Sequence, residues 1–290
     1  MSVGNTTTAS LADSLPTLIM SARIVRENEG VMPQLVEKQT LGEGVGLTWN
    51  EVSYDQLTAQ AVTETTTLDN PQQLSDTLFS ITPTVVGIET VITDRVAARI
   101  TKNGFAKLGA LAQNAMQRKK DEDGLVVLDG FSTSLCGAGS TLTSGHIGAG
   151  AARIKGNTTE PGNDPLYCVL HSYQIEDIDD EIQAGVGTYA LPEGLTARVF
   201  TEGFSGKISG AMVYADDNIS IDSADDAIGG VFAKEAIVLV QGRAPRAVSV
   251  RAEDIGGGAT KVFHYDEYAY GERRDHWGVE IKSDATAPTS

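Results

Sequence analysis

The stretch from Thr93 to about Lys120 carries the strongest helical pattern in the chain, and sequence of strand type flanks it on both sides. Val96, Ile100, Leu108, Leu111 and Ala115 recur along one helical face, behind the N-cap candidates Thr93 and Asp94. A long helix set among strands predicts an α+β fold. Gly104 and Gly109 each cost about 1 kcal/mol in a helix interior relative to Ala, so a bend or a close packing contact is expected there.

Before the helix, β-branched and aromatic residues run from Gly46 to Tyr54 and again from Thr84 to Ile92, around the polar stretch Thr63 to Gln73 with its Asn70-Pro71. This reads as a long two-stranded projection over 46–92. An isolated hairpin is marginal in water, so one of this length needs a partner surface. Residues 1–45 show no sustained period and read as an arm. Its apolar residues Leu18, Ile19, Ile24, Val25, Val31, Leu35 and Val36 imply that it packs on something, with a neighbouring subunit as the candidate.

After the helix, Gly130 to Gly156 is rich in Gly, Ala, Ser and Thr and reads as a loop or irregular extended segment. A second helix is expected over Ser172 to Ala184, with Ile175, Ile178 and Ile182 at helical spacing and Gly185 as its stop. The acids Glu176, Asp177, Asp179, Asp180 and Glu181 are expected to form its solvated face. The last third reads as β structure: Ala211 to Tyr214, Ala236 to Val240, Arg246 to Glu253 and Thr260 to Tyr270, the last two on either side of Gly256-Gly257-Gly258. Val248, Val250 and Ala252 alternate with Ser249, Arg251 and Glu253, the pattern of a half-buried antiparallel strand. The polar tail from Ser283 to Ser290 is expected to fray.

At 290 residues, 41% of them hydrophobic, the chain can bury about 75% of its unfolded surface. Neither a long linker nor an internal repeat marks a cut, so subdomains of one interlocked unit are expected. The formal charge of −17 repels phosphate backbones and anionic lipid, which disfavours tight sequence-specific DNA binding. Cys136 and Cys168 are too few for a disulfide framework and read as buried free thiols in an intracellular setting. Met1 to Ser14 lacks Lys and Arg and does not resemble a secretory signal, and stretches such as Ala236 to Val240 fall far short of the roughly 20 residues of a membrane helix.

The sequence contains neither a phosphate-binding G-x-x-x-x-G-K-[ST] loop nor a G-x-S-x-G elbow, and the glycines at 42, 44 and 46 lack dinucleotide spacing. Cys136, His146, Cys168 and His171 are zinc-type ligands, yet only Cys168-x-x-His171 has ligand spacing; Cys168 reads instead as an inward residue of the run Leu166 to Leu170. Asp216 to Asp222 begins like a calcium loop but lacks the sixth-position glycine and terminal Glu, and reads as an acidic surface turn. His264 and His276 have no partnered nucleophile and read as packing residues. No catalytic residue and no cofactor is expected. The helix carries a basic face, Arg95, Arg99, Lys102, Lys107, Arg118, Lys119 and Lys120, against the single acid Asp94. That face fits nucleic acid without base readout, or acidic surfaces of neighbouring subunits; both stay open.

Taken in order, arm, hairpin, long basic helix, irregular middle and terminal strands resemble a major capsid protein of tailed bacteriophages with the Hong Kong 97 fold. Within that order, Pro165-Leu-Tyr-Cys-Val-Leu-His171 looks like the strand-to-helix entry of the family's axial domain. Gly229 to Val240 resembles the return strand after that domain, and Tyr268 to Lys282 the terminal strand of the peripheral domain. The resemblance implies an N-terminal arm over 1–45, an extended loop over 46–92, and a spine helix with the start of the peripheral domain over 93–130. An axial domain over 131–228 and the C-terminal strands of the peripheral domain over 229–290 complete it. It further implies self-assembly into hexamers and pentamers of an icosahedral shell, with portal, separate scaffolding and cement proteins as partners, non-specific contact with packaged double-stranded DNA, and no membrane. The expected location is the virion, after assembly in the bacterial host cytoplasm. Two rivals differ in class: a phage decoration or tail-tube protein, which has less use for a long helix, and a metal-dependent enzyme using the acids of 176–181 or 216–226.

Overall fold

A computed structural model describes residues 27–28, 30–44, 46–65, 71–99, 102–184 and 206–288, with backbone alone for 102–108 and 183–184. The arm residues Leu18, Ile19, Ile24 and Val25 lie outside these. The expected mixture of helix and sheet is present: two β-sheets share one core, and a third, two-stranded sheet stands apart from them.

The longest pairing in the molecule joins β10 (Ile237–Ala252) to β11 (Ala259–Glu272), antiparallel from Ile237↔Glu272 to Ala252↔Ala259. Gly256, Gly257 and Gly258 all have positive φ in the connecting turn, which explains three successive glycines there. The far edge of β11 takes β4 (Thr84–Thr93), and the near part of β10 takes β1 (Glu37–Thr40) in parallel, giving the order β1-β10-β11-β4. The alternation over 246–253 does make a strand, but not a half-buried one: residues 243–251 are all exposed, Val248 and Val250 included, and only Ala252 is covered.

The hairpin has a different second strand from the one expected. β2 (Trp49–Tyr54) pairs with β3 (Asp76–Ile81), from Trp49↔Ile81 to Tyr54↔Asp76. Thr84 to Thr93 is a strand, but its partner is β11, whose edge offers ten residues of register where β2 offers six.

The helical run is also divided. After Thr93, α2 (Asp94–Ala97) is a single turn, and α3 (Lys102–Val126) follows, extended by a 3-10 turn at Val127–Gly130. The helix continues past Lys120 because Arg118–Glu122 and Lys119–Asp123 are ion pairs four residues apart, and because Leu125 and Leu128 carry the buried face onward. Gly109 has nothing within 4 Å of where a Cβ would stand, so no close contact accounts for it.

The six-stranded sheet has the order β5-β12-β9-β6-β8-β7, from β5 (Ser134–Cys136), β6 (Leu166–Leu170), β7 (Lys207–Ile208), β8 (Ala211–Ala215), β9 (Asp226–Ala233) and β12 (Gly278–Asp284). Where a loop was expected, α4 (Ser144–Lys155) buries Ile147, Ala151 and Ile154, at helical spacing, against this sheet. The small residues serve contact: a Cβ on Gly150 would already stand 3.4 Å from Val231. Helix α5 (Ser172–Ala184) has the bounds expected, but its acids are not all solvated: Asp177 accepts the Leu142 N–H (2.9 Å) and Glu181 the Ser144 N–H (2.6 Å).

The two sheets do not divide the chain at residue 228. β9 and β12 lie in the six-stranded sheet with β6, while β10 and β11 lie in the four-stranded one. The chain crosses between the sheets at the 3-10 turns Lys234–Ala236 and Asp275–Trp277. The described end of the arm, α1 (Met32–Leu35) with Val36, is buried in this chain's own core, not left for a neighbour.

Candidate functional surfaces

Alternation along β2 and β3 gives the hairpin two unlike faces. Trp49, Glu51, Phe79 and Ile81 face the body, where Trp49 meets Phe79 edge-on at 6.1 Å and packs with Ile81 beside Val238 and Val240. Two adjacent arginines fix the base. Arg273 donates to Glu37 (2.6 Å), to Glu51 and to the Glu235 carbonyl (3.2 Å); Arg274 donates to Glu160 (3.0 Å) and to the Ser53 hydroxyl. The Arg273 guanidinium holds the Glu37 carboxyl below its ordinary range.

The other face carries Val52, Tyr54 and Leu78, and Leu57, Val62 and Leu74 follow beyond the strands; Tyr54 is 73% exposed and Leu78 63%. No Lys or Arg occurs between Lys38 and Arg95, so the only charges on the projection are acidic. A surface of this kind has no reason to exist in an isolated chain.

Among the described residues, three members of the basic face of the long helix turn to partners within the chain. Arg118 pairs with Glu27 and Glu122 (both 3.4 Å), and Lys119 with Asp123 (2.5 Å). Lys120 reaches Asp266 (3.1 Å) and Gln241 (3.0 Å) and lies 4.7 Å over the Tyr268 ring. Their charge is spent within the chain, on Glu122 and Asp123 directly after the run and on the distant Glu27 and Asp266. Arg95 and Arg99 are exposed and pair with no acid among the described residues. The side chains of Lys102 and Lys107 lie outside the described residues.

The soft ligands are dispersed. Burial pushes the thiols of Cys168 and Cys136 up, away from thiolate. The His146 ring accepts the Thr143 N–H (3.2 Å) and the His171 ring the Tyr173 N–H (3.1 Å), and burial holds His171 low. Among the described residues, no three His, Cys, Asp or Glu side chains stand close enough to share a metal ion.

The 216–222 turn is not simply a surface feature. Asp216 is buried and accepts the N–H groups of Val31 and Asn218 (both 3.0 Å). Asn218 in turn donates to Asp121 (2.9 Å), which accepts the Met32 N–H (2.9 Å). Neither this carboxylate pair nor the arginine pair was singled out from the sequence. Arg273-Arg274 was legible as an adjacent pair closing a strand, whereas Asp121 and Asp216 meet only through folding.

No family model matches the chain, and no curated protein matches it. Its fold is shared with solved phage capsids. The capsid of cyanophage P-SCSP1u matches with a TM-score of 0.71 at 14% identity, over 98% of this chain and 97% of that one. The cyanophage Pam1 capsid gives 0.70 at 12%, over 99% and 100%. The capsid of Ralstonia phage GP4 gives 0.68 at 14%, over 99% and 100%.

Proposed function

Starting from a chain with the Hong Kong 97-like fold of tailed-phage capsids, we propose that it is a structural shell subunit, a major capsid protein, with no catalytic role. The hairpin carries this reading: a rigidly based projection whose outward face is apolar gains its burial only against another copy. Such contacts bury at least about 1,000 Å² when they are biological. The β2–β3 projection acts as the extended loop, α3 as the spine, and the six-stranded and four-stranded sheets as axial and peripheral domains that exchange β9 and β12. Copies close as hexamers and pentamers of an icosahedral head around double-stranded DNA, built in the bacterial host with separate scaffolding, portal and cement proteins. Among the described side chains of the basic face, Arg95 and Arg99 are the ones left for DNA or for an acidic neighbour.

Electron microscopy of the chain expressed alone and with its neighbouring phage genes tests this. Closed shells, tubes or capsomer rings are expected. Leu78→Asp is expected to abolish them while leaving the melting temperature of the dispersed chain unchanged, since Leu78 touches no core. Dispersed monomers under both conditions would refute the reading.

A further inference from the structure

Asp121, toward the end of α3, and Asp216, in the loop after β8, face each other in the interior, each 1% exposed. Their donors are all neutral: the N–H groups of Val31 and Met32, and the side-chain amide and N–H of Asn218. The chain runs tight against the pair, for a Cβ on Gly30 would fall 2.1 Å from the Asp121 Cγ.

Among the described residues, the surrounding ionisable groups offer no counter-charge. Lys120 is turned to Asp266, and Asp123 takes Lys119 and the Tyr268 hydroxyl. His171, ahead of α5, faces Asp216, and Asp217 lies 3.9 Å from its ring; burial disfavours the imidazolium. Tyr270 of β11 faces Asp121, and burial keeps its phenol protonated. Two buried carboxylates with neutral donors cannot both ionise cheaply, so they retain a proton.

We propose that this pair is a proton-controlled latch on segment 30–36. With a proton held between Asp121 and Asp216, the Val31 and Met32 N–H groups stay bonded to the body. Without it, two adjacent buried charges demand water, and residues 30–32, which seal them from it, open at the cost of two N–H bonds, while Leu35 and Val36 remain seated in the core.

The direction in pH follows from the environment. Burial, with Asp216 alongside, pushes the Asp121 carboxyl up to about 7, against 3.8 for an aspartate in water. A carboxyl raised in the closed form favours closure fully below about 4, and that contribution is lost as pH rises through about 7.

Hydrogen exchange over residues 30–36 of the full-length dispersed chain, corrected for intrinsic rates, tests the latch without requiring shells to form. Opening is expected to rise about tenfold per pH unit from about 4 and to level off above about 7. Asp216→Asn and Asp121→Asn are each expected to remove that dependence. A flat profile in the natural chain, or an unaltered one in both variants, overturns the proposal. Should the variants fail to fold, carboxyl-carbon titration of the natural chain decides: one aspartate midpoint above about 6 supports the latch, and all below about 5 sinks it.

Discussion

Arg273 shows how much one side chain can organise. It joins β1, β2 and the turn before β10 through Glu37, Glu51 and the Glu235 carbonyl, and only 11% of its side chain is exposed. Arg273→Met would leave Glu37 and Glu51 without their bonded cation, with only the more distant Lys234 acting on Glu37. Because both acids are partly solvated, the cost falls below that of a fully buried pair, at about 2 kcal/mol. Denaturant unfolding checks this, and Glu51→Gln, which keeps an acceptor, should cost less. At this scale the sequence was partly legible: Cys168 as an inward residue was read correctly, since it sits in an apolar run. The pairing of Arg118 and Lys119 was hidden because the helix was ended at Lys120, just before Glu122 and Asp123, and that of Lys120 because Asp266 meets it only through folding.

Among the elements, α3 carries glycines of opposite kind. Gly109 faces open space, so Gly109→Ala should stabilise the chain by about 0.5–1 kcal/mol through helix propensity. Gly124 lies under Tyr270 and Met32, with a Cβ meeting them at 3.1 and 3.0 Å, so Gly124→Ala should destabilise it. Melting temperatures of the two variants, shifted in opposite directions, would confirm that one helix is open at Gly109 and wedged at Gly124. Strands and helices with strong periodicity, α5 and the pair β10 and β11, were legible in the sequence. The helix α4 was not, because Gly148, Gly150, Ala151 and Ala152 look like loop composition until the sheet they pack against is in place. The partner of β2 was equally hidden, since pairing is decided by which edge is free.

For the molecule as a whole, the two sheets are sewn together by three crossings, from β4 to β5 through α3 and at 234–236 and 275–277, and by a core running through both. Neither sheet can unfold while leaving the other's strands intact, so calorimetry of the dispersed chain should give one transition; two resolved transitions would contradict this. Order along the chain was enough to identify the fold from sequence, but it placed a boundary at 228 that the sheets ignore. Nothing in the composition of β9 or β12 tells which sheet a buried strand will join.

The absence of Lys and Arg between Lys38 and Arg95 has a practical side. Trypsin has no site anywhere in the β2–β3 projection, so digestion releases it as one fragment from Gln39 to Arg95 whether or not a neighbour covers it. Tryptic resistance is therefore mute about assembly, and peptide maps built on trypsin will under-sample the very segment that matters. Chymotrypsin, which can cut beside Tyr54, Leu57, Leu74 and Leu78, reads the same surface directly: these bonds should be cleaved in the dispersed chain and shielded in a closed shell.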